Sequence, residues 1–372
     1  MKKLTEFIFL TTIFILMVTS CQKKAEQPQV KLRGLADTVG FAHTARQMDS
    51  VMQRIDRLYG KERQDVFQLK NITPQTSWQL VICPHDDYTY AGDVYPYVLQ
   101  NLSAPTIILF GVAHKARRFG VENQIVFDSF THWRGPYGHI AVSPIREEIM
   151  QNLPEAFYQV NDSLQEVEHS VEALLPFIQY YHRQFRIVSI LVPYMSFDRM
   201  QQISSKLAQA IQTVSSARQW KWGKDFALAI SNDCVHYGDQ GWGGKNFARF
   251  GADSAGYRAA TNYDLNIISE CLIDDLDPQR IKRFVDYTVR KDDYREYAWT
   301  WCGRYSVPFG LLTGYYLQKN MNVRSLNGTM LKYSTSLVHP PIPVSDLKMG
   351  MTAPANIHHW VAYVGIGYRN RR

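Results

Sequence analysis

Short apolar runs alternate with longer helical patterns along most of this chain, and this alternation constrains the fold more than any other feature. Each short run ends in residues typical of turns, and between the runs apolar residues recur at the spacing of one helix face. Such alternation is typical of an α/β domain, in which helices cover a parallel or mixed sheet. The predicted strands are residues 79–83, 106–110, 187–192, 226–231, 330–334 and 360–367.

Seven helical patterns complete the predicted architecture. A length of 372 residues allows two domains or one α/β domain enlarged by insertions. Because no repeat or low-complexity tract divides the chain, we expect a single three-layer α/β domain with a central mixed sheet over residues 30–372, with a surface loop at residues 349–359. The predicted helices are residues 47–58, 94–101, 147–153, 171–181, 197–214, 254–272 and 278–291.

The first 29 residues have the character of an export and anchoring segment. Two lysines precede an apolar run that is too short to cross about 30 Å of hydrocarbon and is typical of a signal peptide. A small-residue cleavage site then ends at Cys21 and resembles the lipobox of bacterial lipoproteins. This resemblance implies removal of residues 1–20, a lipid on Cys21 and a polar tether over residues 21–29. The alternatives are an ordinary signal peptide and an N-terminal helix followed by an incidental cysteine.

The residue after Cys21 and the net charge indicate the surroundings of the mature protein. Gln22 stands where inner-membrane lipoproteins usually carry aspartate, so we expect the outer membrane of a bacterial cell envelope. The net charge of +7 falls to +6 once a leader with two lysines and one glutamate is removed. No long block of lysine and arginine accompanies this charge, which argues against nucleic acid as a partner. We therefore expect a membrane partner, through the lipid, and a small-molecule substrate.

Three predicted strands are each followed by a histidine, namely His85, His114 and His236. Ligands in α/β sheets bind at the carboxyl ends of strands, so these side chains are expected at one edge. Neutral imidazole is the commonest protein metal ligand, and the shared placement therefore indicates a metal centre. Taken singly, each histidine has another explanation, such as a helix cap, a loop hydrogen bond or pairing of His236 with Asp233.

Cysteine usage adds a further candidate ligand. The four cysteines after Cys21 allow two disulfides in three pairings, but three of them lie beside a histidine or a glycine-rich turn at distant points, which argues against simple pairing. Cys271 lies in an apolar helical pattern typical of a buried small hydrophobe. Cys302 is the best candidate for the remaining ligand, because a thiolate near two imidazoles makes a borderline-soft site. A packed free thiol is the alternative.

A short segment, Glu168 followed by His169, opens another predicted helix. Glutamate near a helix N-terminus is stabilised by the helix dipole, so capping alone explains Glu168. His169 lies one residue into the helix and faces either the metal site or solvent.

Five motifs, in this order, resemble the Memo family, whose members are also named protein B of the AmmeMemoRadiSam system. They are PHDDYTYAG at 84–92, FGVAH at 110–114, EHSVEALLPF at 168–177, SNDCVHYG at 231–238 and CGR at 302–304. The resemblance covers about residues 33–335. It implies a fold similar to that of class III extradiol dioxygenases, which are non-haem Fe(II) enzymes.

The resemblance also implies a metal-ligand set. Two histidines and one cysteine hold a metal ion in that family, and the matching positions are His85, His114 and Cys302. Three protein ligands leave coordination positions open for water, dioxygen or a substrate oxygen. Fe(II) is the metal that the resemblance favours, while Cu and Zn suit the same imidazole and thiolate donors.

The resemblance also implies a set of catalytic residues. His236 and Asp233 match residues that flank the family's pocket, and His169 matches the EHS motif. His236 suits an acid or base because the unperturbed pKa of histidine is close to neutral, while Asp233 would orient His236 or a metal ligand. We therefore expect a metal-dependent redox enzyme or dioxygenase that acts on a small, aromatic substrate.

The sequence departs from the family pattern in three ways. Asp86 and Asp87 replace small residues and are expected to add negative charge or oxygen ligands, which favours a harder ion. Three residues separate Arg304 from Pro308, which is a longer path than usual and predicts a different pocket wall. A lipid anchor is unlike the cytosolic members, so we infer no partners from the family name.

Two other classes of function remain open. The string His85-Asp86-Asp87 resembles the HPDD motif of zinc-dependent sugar N-deacetylases of the PIG-L type, but its proline is absent and the chain has no second HxxH. The stronger alternative is a non-catalytic surface lipoprotein that uses the same cleft to bind a metal or a ligand, because a fold does not guarantee chemistry.

Overall fold

A computed structural model describes residues 30–371, through which one large mixed sheet runs. The predicted signal peptide, the tether and Cys21 lie outside the described residues. No helix within residues 30–371 is long and apolar enough to cross a membrane. The strands are β1 (Leu32–Arg33), β2 (Leu80–Cys83), β3 (Thr106–Val112), β4 (Ile125–Phe127), β5 (His132–Gly135), β6 (Gly138–Val142), β7 (Tyr158–Val160), β8 (Arg186–Val192), β9 (Phe226–Ser231), β10 (His236–Tyr237), β11 (Asp274–Asp275), β12 (Leu326–Thr335) and β13 (Trp360–Asn370).

Helices lie on both faces of this sheet, and several begin at a recognisable cap. Thr44 and Gln47 form a capping box at the first helix, and the side chain of Ser196 accepts a backbone hydrogen bond at the seventh. The helices are α1 (Ala45–Leu69), α2 (Tyr88–Ala91), α3 (Tyr95–Leu99), α4 (Ile145–Gln151), α5 (Asp162–Glu166), α6 (Leu175–Tyr181), α7 (Phe197–Ala217), α8 (Ser254–Cys271), α9 (Pro278–Thr288) and α10 (Ser306–Asn320).

The middle of the sheet is parallel, and this brings several strand ends to one edge. The order across the sheet is β1-β5-β6-β8-β3-β9-β2-β13-β12-β11. Strands β8, β3, β9 and β2 run parallel to one another, so their carboxyl ends meet. β13 runs antiparallel to β2, and β12 runs antiparallel to β13. The connection between β12 and β13 therefore crosses the same edge.

Alternate side chains of the central strands enter two hydrophobic cores, one on each face of the sheet. On β3, Ile108 and Phe110 pack in the core that includes α7 and α10, while Ile107 and Leu109 pack in the core that includes α1, α3 and α6. All seven residues of β3 are buried, as expected for a strand covered on both faces. The predicted single α/β domain with a central mixed sheet and helices on both faces is confirmed.

Agreement with the predicted elements is closest in the centre of the sheet. The four central strands begin and end within two residues of the predicted bounds. The first helix continues to Leu69, eleven residues beyond its predicted end, and a 3₁₀ turn at Glu172–Leu174 precedes α6. The hairpin β5–β6 was not predicted, because its strands are short and rich in polar residues.

Candidate metal centre

His85 directly follows β2, and its ring is held in one orientation. Its backbone N–H donates to Asp233 Oδ1 at 2.9 Å, and its Nδ1 lies 2.7 Å from Ser231 Oγ. Ser231 Oγ donates its only proton to the carbonyl of Ser170 at 2.6 Å, so it accepts the Nδ1–H of His85. His85 Nε2 is therefore the unprotonated nitrogen. Burial, reinforced by neighbouring histidines, lowers the pKa of His85 well below its usual value.

His114 follows β3 and is held in a similar way by a buried carboxylate. Glu168 Oε1 lies 2.7 Å from His114 Nδ1, and Glu168 Oε2 accepts the backbone N–H of His114 at 2.7 Å. Although burial acts to raise it, the charge and hydrogen bond of His114 hold the pKa of Glu168 at about 2. Glu168 also accepts the backbone N–H groups of His169 and Ser170. It thus does more than the predicted capping, because it leaves His114 Nε2 free to bind a metal.

Cys302 is the third predicted ligand, and its thiol lies beside the imidazole rings of His85 and His114. Its Sγ lies 2.9 Å from His114 Nε2 and 3.2 Å from His85 Nε2. The next residue, Gly303, donates its backbone N–H to Asn232 Oδ1 at 3.1 Å, and a Cβ at Gly303 would lie 2.1 Å from that oxygen. Glycine therefore permits the close approach that puts the thiol against the two imidazoles.

His169 supplies a fourth donor beside this set. Ligating atoms of His85, His114 and His169 all lie within 4.8 Å of one another. The ring of His169 stacks on that of His114, with centroids 4.9 Å apart and planes 9° apart. Burial, followed by the charge of His114, lowers the pKa of His169 to about 4, so the ring is neutral at neutral pH. His169, predicted as a catalytic residue, is thus also a candidate ligand.

Asp233 and His236 have different surroundings. Asp233 Oδ2 lies 3.3 Å from His85 Nε2, so this carboxylate is directed at a predicted metal ligand and not at His236. His236 Nε2 is buried and has no hydrogen-bond partner among the described residues. Burial lowers the pKa of His236 to about 3, well away from the near-neutral value expected from sequence. The ring is therefore uncharged at neutral pH and is a weak base.

A cavity of about 310 Å³ borders the histidines and is acidic on one side. The carboxylates of Asp86 and Asp87 line it, but each is already bound by a protein donor. Tyr363 O–H donates to Asp86 Oδ2 at 2.6 Å, while the backbone N–H and hydroxyl of Thr352 donate to Asp87 Oδ2 at 2.5 and 3.0 Å. Burial, reinforced by Asp86, raises the pKa of Asp87 to about 7.

Unpartnered indole groups line the same cavity. The Nε1–H groups of Trp242 and Trp360 are buried and, like His236 Nε2, have no hydrogen-bond partner within residues 30–371. Trp242 stacks on His359, with ring centroids 4.0 Å apart. Three residues that line the cavity thus each carry a buried polar atom without a partner among the described residues.

Two loops supply cavity residues that sequence analysis did not identify. Thr352 and His359 belong to the segment predicted as a surface loop, which also forms one wall of the cavity. Trp242 lies in a glycine-rich segment after β10, in which Gly238 has φ +132° and an added Cβ would lie 1.9 Å from the His358 carbonyl oxygen. That run of glycines was the one available signal, whereas nothing near Thr352 marked it as a site residue.

The Memo-like protein family model matches residues 52–341, which is well over half of the chain. The chain belongs to the Memo family. All five motifs from sequence analysis fall inside the matched range, so the predicted family is confirmed.

Several curated Memo relatives are similar to this chain. A MEMO1 family protein of Methanosarcina barkeri is 30% identical over 158 residues, which cover 42% of this chain and 54% of that relative. One from Pyrococcus abyssi is 26% identical over 266 residues, or 68% of this chain and 79% of the relative. One from Sulfolobus acidocaldarius is 27% identical over 173 residues, or 45% and 56%. The matches thus span about half the length of the first and third relatives.

Proposed function

We propose that this Memo family protein is a metal-dependent oxidoreductase, similar to extradiol dioxygenases, that acts on a small, hydroxylated aromatic substrate. One observation carries the proposal. Cys302 Sγ lies within 3.2 Å of the Nε2 atoms of both His85 and His114. These three donors match the soft and borderline ligands that Fe, Cu and Zn accept.

The residues present fit a metal ion. Hydrogen bonds to Ser231 and Glu168 occupy the Nδ1 atoms of His85 and His114, so both rings present Nε2 to the ion. Although burial acts to lower it, Cys302 and Glu168 raise the pKa of His114, so metal binding would displace a proton from its Nε2. Donors that share one ion, with metal–N near 2.0–2.1 Å and metal–S near 2.3 Å, lie about 3 to 4 Å apart. The distances from Cys302 Sγ to the two Nε2 atoms, 2.9 and 3.2 Å, are close to that range. His85, His114 and Cys302 would hold the ion, and His169 is the fourth candidate. Bound there, Fe(II) or Cu would supply redox chemistry and Zn would supply Lewis-acid chemistry.

The chain's own residues would bind and orient the substrate in the cavity of about 310 Å³. The indole N–H groups of Trp242 and Trp360 would donate to substrate oxygens, because neither has a protein partner within residues 30–371. His236 Nε2 would accept a hydrogen bond from a substrate hydroxyl and orient it, since this atom is buried without a partner within residues 30–371 and its ring, with a pKa of about 3, is a weak base. The connection between β12 and β13 would limit the access of water.

Turnover tests this function. Purified chain would be loaded anaerobically with Fe(II), mixed with a catechol-like substrate and then exposed to air. We expect oxygen-dependent ring opening, which His236→Ala abolishes while the bound metal is retained. An unchanged rate would assign His236 to packing, and loss of metal would show that His236 supports metal binding instead of turnover alone. A metal-loaded wild type that never turns over such substrates would favour the non-catalytic binding lipoprotein.

We also propose that lipidated Cys21 anchors this domain to the bacterial cell envelope, at the outer membrane. The apolar run before Cys21 and the polar segment after it support the proposal. The short tether would keep the domain near the membrane surface.

A further inference from the structure

A second cavity, of about 220 Å³, borders the metal centre and is lined by basic side chains. His114 lines both cavities, and Cys302 lines the second one. No lysine or arginine within residues 30–371 lines the first cavity. The cations that line the second are Arg117, Lys245, Arg295 and Arg304.

Two of these four cations are neutralised by carboxylates. Arg117 Nη2 lies 2.8 Å from Glu296 Oε1, and Arg295 Nη2 lies 2.8 Å from Glu122 Oε2. Lys245 and Arg304 have no carboxylate within ion-pair distance in the described part of the chain. The cavity therefore keeps an excess of positive charge that the protein itself does not balance.

Arg304 is held in place while using only part of its hydrogen-bonding capacity, since its Nη2 donates to the carbonyl of Arg295 at 3.4 Å. Its guanidinium carbon lies 3.4 Å from the ring centroid of Tyr297 and 4.5 Å from that of Tyr305. Its Nε–H is buried and lacks an acceptor among the described residues. A buried N–H on a charged group is costly to leave unpaired, so this geometry points to an acceptor that is not part of the chain.

Lys245 approaches the cavity from the glycine-rich segment after β10. The same segment carries Trp242, which lines the first cavity. The Lys245 residue is exposed and its ammonium is a compact, rotatable donor, whereas Arg304 offers a fixed planar fork. A point charge and a guanidinium that face one small cavity are a suitable pair for an anionic oxygen group.

We propose that the second cavity binds an oxyanion, namely the carboxylate or phosphate group of a small molecule, between Lys245 and Arg304. The size of the cavity admits such a group. The proposal rests on the cations and the cavity and does not require a metal ion.

Calorimetric titration of the purified full-length chain in detergent, stripped of metal, tests the proposal. Inorganic phosphate and acetate would be the two probes, at constant ionic strength. We expect saturable binding of at least one probe at one site per chain, and a preference for either anion identifies the group. Lys245→Met and Arg304→Gln are expected to weaken binding at least about tenfold.

Lys61→Met is the matched control, because Lys61 is an exposed cation on α1 that pairs with Asp65. It removes the same charge and should leave the affinity unchanged. Absence of saturable binding of both probes, or equal weakening in Lys61→Met and Lys245→Met, would overturn the proposal. If Arg304→Gln fails to fold, the affinity of Lys245→Met tests the proposal alone, since Lys245 is exposed and its substitution should leave the fold intact. Because no metal is present, these outcomes are independent of the proposed oxidoreductase activity.

Discussion

At the scale of single residues, the metal centre depends on the groups that hold the ligands as much as on the ligands. Ser231 fixes the ring of His85, and Glu168 fixes that of His114. Each partner occupies Nδ1 and so leaves Nε2 free. Partners of this kind typically change metal affinity by about 10- to 100-fold.

The variant Glu168→Gln tests whether the hydrogen-bond partner of a ligand histidine contributes to metal affinity. The amide loses the charge and one of the two oxygens that accept from His114, so we expect metal affinity to fall about 10- to 100-fold with the fold retained. Competition with a chelator would measure the affinity. Glu166→Gln is the control, because Glu166 is exposed two residues away. Equal affinities in wild type and Glu168→Gln would refute the role assigned to Glu168.

The sequence predicted which side chains lie at one edge of the sheet, but it did not predict their pKa values or their contacts. Three histidines after three strands were expected at one edge, since parallel strands end together. The low pKa of His236 and the position of Asp233 against His85 depend on burial, which a sequence does not display. The unpartnered N–H of Trp242 depends on a loop conformation set by distant contacts.

At the scale of elements, α8 holds the segment that carries Cys302. Asp264 of α8 accepts the indole N–H groups of Trp299 and Trp301, both at 2.7 Å, and the backbone N–H of Val235 at 3.2 Å. One carboxylate thus ties together the chain before Cys302 and the chain after β9.

Asp264→Asn is expected to lower the free energy of unfolding by about 2–4 kcal/mol, because an amide N–H₂ would face N–H donors in a buried site. Burial raises the pKa of Asp264 to about 6, so the comparison belongs near pH 7.5, where the carboxylate is ionised. Urea denaturation would measure the change. Asp286→Asn removes an exposed partner of Lys282 and should cost less than about 0.5 kcal/mol. Equal costs would argue against this role.

Elements were predicted well where one physical signal dominates. The central strands are continuous apolar runs because helices cover both faces, and their bounds agree with the prediction. Edge strands such as β5 and β6 are short, and their pairing is set by tertiary contacts that leave no clear period. The connection from β12 to β13 had no periodicity, so its part in the cavity was not predictable.

At the scale of the whole molecule, two cavities with different linings share His114: carboxyl groups line the first, and four lysine and arginine side chains line the second. A small molecule with an anionic group beside an oxidisable ring would suit both cavities. The proposed lipid anchor would place both cavities close to the membrane of the cell envelope.

Cys21→Ala tests the anchor. Without the lipid we expect the protein to move from the detergent-rich phase to the aqueous phase, since the lipid on Cys21 is the anchor in this proposal. Detergent phase partitioning of cells that express each variant would measure the shift. Cys271→Ala removes a buried cysteine of α8 and should leave the protein in the detergent-rich phase. Unchanged partitioning of Cys21→Ala would contradict the lipoprotein prediction.

The most direct test of the metal centre is elemental analysis of the protein purified from its native envelope. We predict about one transition-metal ion per chain in the wild type. The same preparation of His85→Ala and of Cys302→Ala should contain almost none, since each loses a ligand of the set. A metal-free wild type, or undiminished metal in both variants, would contradict the assignment.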